Sequence, residues 1–195
     1  MSGARRRRAT AIAGHTRDIP TALTALQDLD PSVRATALSA LHRLHALSVD
    51  QLVTAFSDPE MVVRRRAGEV AAHYPGVSLL ALLHDVETLV VEVAAWACGE
   101  HEMVTDEVLH RLIHLAGNDD DPLVREAAVA ALGAIGDERG LPAILAGCRD
   151  KPAIRRRAVL ALAPFDGDAA DAALAAALVD RDWQVRQAAE DLSTG

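Results

Sequence analysis

The sequence predicts an all-α protein, an α-solenoid in which about six antiparallel helix pairs stack in file. Two observations predict it. A helix-period segment recurs roughly every thirty residues along the chain. Half of the 195 residues are hydrophobic while only 3% are aromatic, a composition that suits helices packed through alanine and argues against a β sandwich.

The clearest copy runs from Asp119 to Gly136, DDDPLVREAAVAALGAIG. Asp121 is placed to cap a helix by accepting from an orphaned backbone N–H. Pro122 fits the first helical position, where its missing N–H costs nothing. Val124, Ala128, Ala131, Leu132 and Ile135 form one apolar stripe at the helical period, Gly133 weakens the helix, and Gly136 ends it. With Arg125 as a marker, Val33-Arg34, Val63-Arg64, Val91-Glu92, Ile154-Arg155 and Val185-Arg186 fall into register. The spacings are 64 − 34 = 30, 92 − 64 = 28, 125 − 92 = 33, 155 − 125 = 30 and 186 − 155 = 31. Three residues after each marker stands an alanine: Ala37, Ala67, Ala95, Ala128, Ala158 and Ala189.

Each unit needs a first helix, and the expected ones are Pro20 to Gln27, Val49 to Ser57, Ser78 to His84, Asp106 to Ala116, Leu141 to Cys148 and Ala169 to Val179. Short links such as Tyr74-Pro75-Gly76 make neighbouring helices antiparallel. No unit buries its apolar face alone, so stacking creates the core. The chain is therefore read as a basic, partly helical N-terminal arm, residues 1–17, and one repeat domain, residues 18–193. Its units are 18–46, 47–75, 76–104, 105–137, 138–167 and 168–193. The run Arg5 to Arg8 is read as a frayed arm. The segment after it, ATAIAGHTRD, is too short and too soon interrupted to be the apolar region of an export signal.

The pattern Asp-Pro-x-Val-Arg-x-x-Ala-x-x-Ala-Leu-Gly resembles the HEAT repeat, in particular the short bacterial form named after phycobilisome lyases. The resemblance covers about residues 18–193 and implies that the second helices line a concave face. It also implies a ladder between successive units, in which an aspartate six positions before the arginine joins it. Asp28, Asp58, Asp119 and Asp180 stand in that relation to Arg34, Arg64, Arg125 and Arg186. Val86 before Glu92 and Arg149 before Arg155 break the pattern, so the stacking is expected to change in the third unit.

Charge and chemistry narrow the function classes. A formal net charge of −8 counts against nonspecific polyanion binding. No apolar run reaches the length of a bilayer span, and Cys98 and Cys148 are isolated thiols, so a cytoplasmic location is expected. Arg65, Arg66, Arg156 and Arg157 raise a nucleic-acid reading, but acids flank both triplets and aromatic surfaces are few. His101 with Glu102, and His110 with His114 at i, i+4, raise a metal reading. The His-Glu dyads of HEAT-like di-iron hydroxylases are several and open their helices, whereas the single dyad here closes one. No cofactor or metal is expected.

The preferred reading is a non-catalytic scaffold or adaptor that binds a protein or peptide on its concave face. Arg65, Glu69, His73, Trp96, Glu100 and His101 form the expected recognition patch, because polar residues gather where the ladder breaks. Trp96 also aligns with Leu38, Val129 and Val159, which favours packing. The alternatives are a nucleic-acid binder and a metal- or tetrapyrrole-dependent enzyme or lyase subunit.

Overall fold

In the computed structural model, which describes residues 2–193, all regular structure among those residues is helical. The elements are α1 Gly3–Thr16, α2 Ile19–Ala25, α3 Pro31–Arg43, α4 Val49–Ala55, α5 Met61–Ala71, α6 Leu80–Leu83 and α7 Thr88–Gly99. After these come α8 Asp106–Asn118, α9 Pro122–Ile135, a 3-10 turn Glu138–Gly140, α10 Leu141–Gly147, α11 Pro152–Ala161, α12 Asp168–Ala177 and α13 Trp183–Ser193.

The helix ends form for the reasons the sequence suggests. Asp121 accepts from the Leu123 N–H at 2.9 Å ahead of Pro122. Gly136 closes α9 with φ of 69°, a left-handed value that a side chain would penalise. The same opening recurs at α3, where Asp30 accepts from Ser32 N–H at 3.0 Å before Pro31.

Two layers result. The odd-numbered helices pack on one another in chain order from α1 to α13, and the even-numbered helices touch more sparsely, from α6 through α12. The closer-packed layer takes the shorter path, so the odd helices line the concave side. Small residues permit that approach. A Cβ added to Gly133 would lie 2.5 Å from the Ala161 Cβ, and one added to Gly99 would lie 3.1 Å from the Ala131 Cα. Between the layers, Ala37, Ala67, Ala95, Ala128, Ala158 and Ala189 are all fully buried, as stacking through alanine requires.

The structure differs from the sequence reading in two places. The segment expected as an arm is α1, a helix packed on α2 and α3. It adds a seventh helix to the concave layer ahead of the six pairs. The basic run is embedded in it, and Arg6 is half-buried.

The third unit is displaced by one residue. Val90, not Val91, occupies the fully buried place of Val33 and Val124. Asp85 lies six residues before Val91, as Asp58 lies six before Arg64. Val91 is thus the residue standing where other units carry arginine. Alanine at both 94 and 95, and valine at both 90 and 91, make the two registers look alike in sequence.

Candidate functional site

The ladder arginines occupy one edge of the odd layer and are consumed by packing. Arg34 reaches forward to Asp58 at 2.7 Å, Arg64 to Asp85 at 2.6 Å and Arg125 to Asp150 at 2.7 Å. Arg6 joins Asp28 at 2.7 Å and Arg155 joins Asp180 at 2.9 Å. The aspartate six positions back is engaged through its backbone instead. Arg34 donates to the Asp28 carbonyl at 2.8 Å, Arg64 to that of Asp58 at 2.8 Å, and Arg125 to that of Asp119 at 2.7 Å. Arg186 donates likewise to the Asp180 carbonyl at 2.7 Å. Arg34, Arg64 and Arg125 therefore each clamp their own loop and the carboxylate of the next.

Four of these residues, Arg6, Asp85, Asp150 and Arg155, were missed by counting six positions. A signal existed in the aspartates that precede each second helix. The Arg125 bond holds the Asp150 carboxyl below the usual carboxylate range. At Asp58, burial pushes the value up. The Arg34 fork and the Glu60 N–H together outweigh that push, so the net direction is down.

The rest of the concave face is polar at its N-terminal end. Arg43 meets His15 at 2.9 Å, and the His42 and His73 rings stack with centroids 4.8 Å apart. Burial, then the neighbouring His73, holds the His42 imidazole below its ordinary value. On α5, Glu69 draws in both Arg65, at 3.6 Å, and Arg66, at 2.5 Å. The expected patch residues Arg65 and Glu69 thus share one face of α5 and are paired with each other, while His73 stands in the turn after that helix, stacked on His42.

Between α7 and α9 lies a groove of about 510 Å³, within the range of ligand-sized clefts. Its floor is Gly99, Ala127, Ala130, Ala131 and Ala134, the small residues that let the two helices close. Over this floor stands Trp96, 43% exposed. The corrected register puts it beside Ser39, Glu69, Ala130 and Leu160 in a row facing outward, not with the packing residues Leu38, Val129 and Val159. Glu92, Glu100 and Glu126 rim the groove, with Arg157 at its far side 3.8 Å from Glu126. Three carboxylates against one guanidinium leave a formal −2.

His101 is not part of this face. It is buried, and its Nε2 lies 2.9 Å from the Ala71 carbonyl, tying the end of α7 to the end of α5. His110 and His114 sit on exposed turns of α8. Among the described residues no three His, Cys, Asp or Glu side chains converge as a metal site would require. Burial pushes the Cys98 thiol up to about 12 and the Cys148 thiol up to about 11, which removes both as thiolates at neutral pH. No helix among the described residues is long and apolar enough to cross a membrane.

Residues 76–163 match the model of HEAT repeats, a description that does not single out the lyase-named form. No curated protein matches the sequence. Among solved structures, an engineered protein superposes with a TM-score of 0.67 at 20% identity, over 91% of this chain and 99% of its own. A designed armadillo repeat protein in complex with peptide (KR)4 gives a TM-score of 0.65 at 18% identity, over 90% of this chain and 98% of its own. Human deoxyhypusine hydroxylase gives 0.50 at 21% identity, over 99% of this chain and 79% of its own. At these identities the likeness is one of fold: a helical repeat solenoid.

Proposed function

We propose that this chain of HEAT-type repeats is a non-catalytic interaction scaffold, which grips an extended segment of a partner protein across the groove at Trp96. The observation that carries the reading is an indole held in the open on the concave face, above a floor of glycine and alanine. Such a residue offers a large rigid contact area at little cost in ordering. The rigid stack around it supplies a preformed surface. A designed armadillo repeat protein of similar fold is seen in complex with a peptide, which supports a peptide as the occupant. Trp96 and Glu100 of the expected patch belong to the site; Arg65 and Glu69 on α5 and His73 in the turn after it flank the site, and His101 does not take part.

The nucleic-acid reading loses ground on the same face. Arg65 and Arg66 are drawn to Glu69 and Arg157 to Glu126, so only Arg156 of the four expected cations has no ion-pair partner among the described residues. The hydroxylase likeness supplies a fold and no converging ligand set. The test places a photo-crosslinking amino acid at Ala130 on the groove floor, and in a control at Val179 on the far end, in the native cells. Adducts with polypeptide from position 130 are expected. Adducts from position 179 alone would overturn the reading.

A further inference from the structure

The charge around Trp96 selects the kind of segment that fits. Glu92 and Glu100 have no ion-pair partner among the described residues, and Glu126 has only the long contact to Arg157 at 3.8 Å. Glu92, Trp96 and Glu100 follow one another at i, i+4 and i+8, so α7 and the residue that caps it present acid, indole and acid along one side. An indole face attracts a cation placed over it, and carboxylates on either side along the helix strengthen the same preference. An anionic segment would meet three carboxylates here, and like charges placed together disfavour binding strongly.

Resting on the reading of this face as the binding surface, we infer that the groove between α7 and α9 recognises an extended basic segment. The side chain of one lysine or arginine lies on Trp96, and its neighbours in the chain are held by Glu92, Glu100 and Glu126. An extended chain rises about 3.3 Å per residue, and packed helices lie about 8–10 Å apart. Roughly three residues of the segment therefore cross from one odd helix to the next. The segment that spans α5 to α9 carries basic residues around its centre. Apolar or small residues face α5, where Arg65 and Arg66 share the single carboxylate of Glu69 and leave a formal +1 that repels a further cation.

The experiment uses three labelled octapeptides of equal length: alternating lysine and arginine, alternating glutamine and serine, and alternating glutamate and serine. Fluorescence anisotropy is read at two salt concentrations. The basic peptide is expected to bind at least tenfold more tightly than the neutral one, and the acidic peptide not at all. Trp96→Ala weakens it about fivefold. Glu92→Lys with Glu126→Lys abolishes it, and Glu92→Gln with Glu126→Gln, which preserves side-chain size, weakens it to the level of the neutral peptide. Glu102→Lys with Glu107→Lys makes the same change in net charge outside the groove and leaves binding within twofold.

Equal loss in that control would show attraction to the whole acidic chain and sink the inference. Binding of the neutral or acidic peptide that depends on Trp96 would sink it too, while leaving the scaffold reading intact. Should no peptide of any charge bind, both fall.

Discussion

The same substitution at two glycines is expected to change stability in opposite directions. Gly117, near the end of α8, has nothing within 4 Å of an added Cβ. Gly117→Ala therefore gains helix propensity without a clash, and is worth about 0.5–1 kcal/mol. Gly133 lies in the middle of α9, where the propensity gain should be at least as large. An added Cβ there meets Ala161 at 2.5 Å from its Cβ, 2.6 Å from its Cα and 3.0 Å from its carbonyl oxygen. Two of those atoms are backbone, so the neighbour cannot turn aside and α11 must shift. Overpacking of that kind costs about 1–3 kcal/mol. Net of propensity, Gly133→Ala should destabilise by about 1 kcal/mol, and the two variants should differ by about 2 kcal/mol. Urea titration of both proteins with a common m-value reads the difference directly. A Gly133→Ala protein as stable as its parent would show that α9 and α11 do not approach this closely. The explanation of the concave face by small residues would then fail.

Removing a rung of the ladder should cost more than removing an exposed pair. Arg125→Ala strips two bonds from Asp150 and one from the Asp119 carbonyl, a loss of about 2–3 kcal/mol. Arg66→Ala, at an exposed pair, should cost under about 0.5 kcal/mol, and equal losses in thermal unfolding would refute the distinction. Acid should also find the ladder. Asp28, Asp58, Asp85, Asp150 and Asp180 all lie below the usual carboxylate value in the folded chain. Their contribution is complete at neutral pH and is lost as pH falls below about 4 through those lowered values. Urea midpoints measured between pH 7 and pH 3 should fall in that window, and less steeply in Asp85→Asn.

The solenoid was legible because stacking imposes the same demands on every unit. An alanine between layers, an aspartate cap and an apolar stripe at the helical period can all be counted in a sequence. Arg6 was hidden because residues 1–17 hold no aspartate, proline or valine, so the marker by which the other units were aligned is missing there. The groove was half legible. An exposed tryptophan is a conspicuous residue, but its direction depends on the register of a single helix. His101 looked like a surface ligand because the residue one position on had been assigned its place. In the corrected register it stands with Leu44, Tyr74, Ile135 and Phe165, a row that faces the interior, and its hydrogen bond to Ala71 meets the cost of burying it.

That displaced register makes one more prediction about why the ladder stops where it does. Val91 takes the place of arginine, and among the described residues no arginine holds the Asp119 carboxylate, which accepts from the Asp121 N–H at 3.0 Å. The α7–α9 contact is nonetheless close, since Gly99 sits against Ala131. Packing through small residues, not the ion pair, therefore sets the spacing of the odd layer there, and the rung is an addition to it. Val91→Arg should place a guanidinium near Asp119 as Arg125 lies near Asp150, with the Asp85 carbonyl available to its remaining donor. Burying an ion pair in place of a valine brings little net stability, so the informative quantity is the coupling. In a double-mutant cycle with Asp119→Asn, a coupling of about 1–2 kcal/mol is expected. A coupling near zero would mean that Val91 is not the rung position, and Trp96 would lose the register that turns it toward the groove.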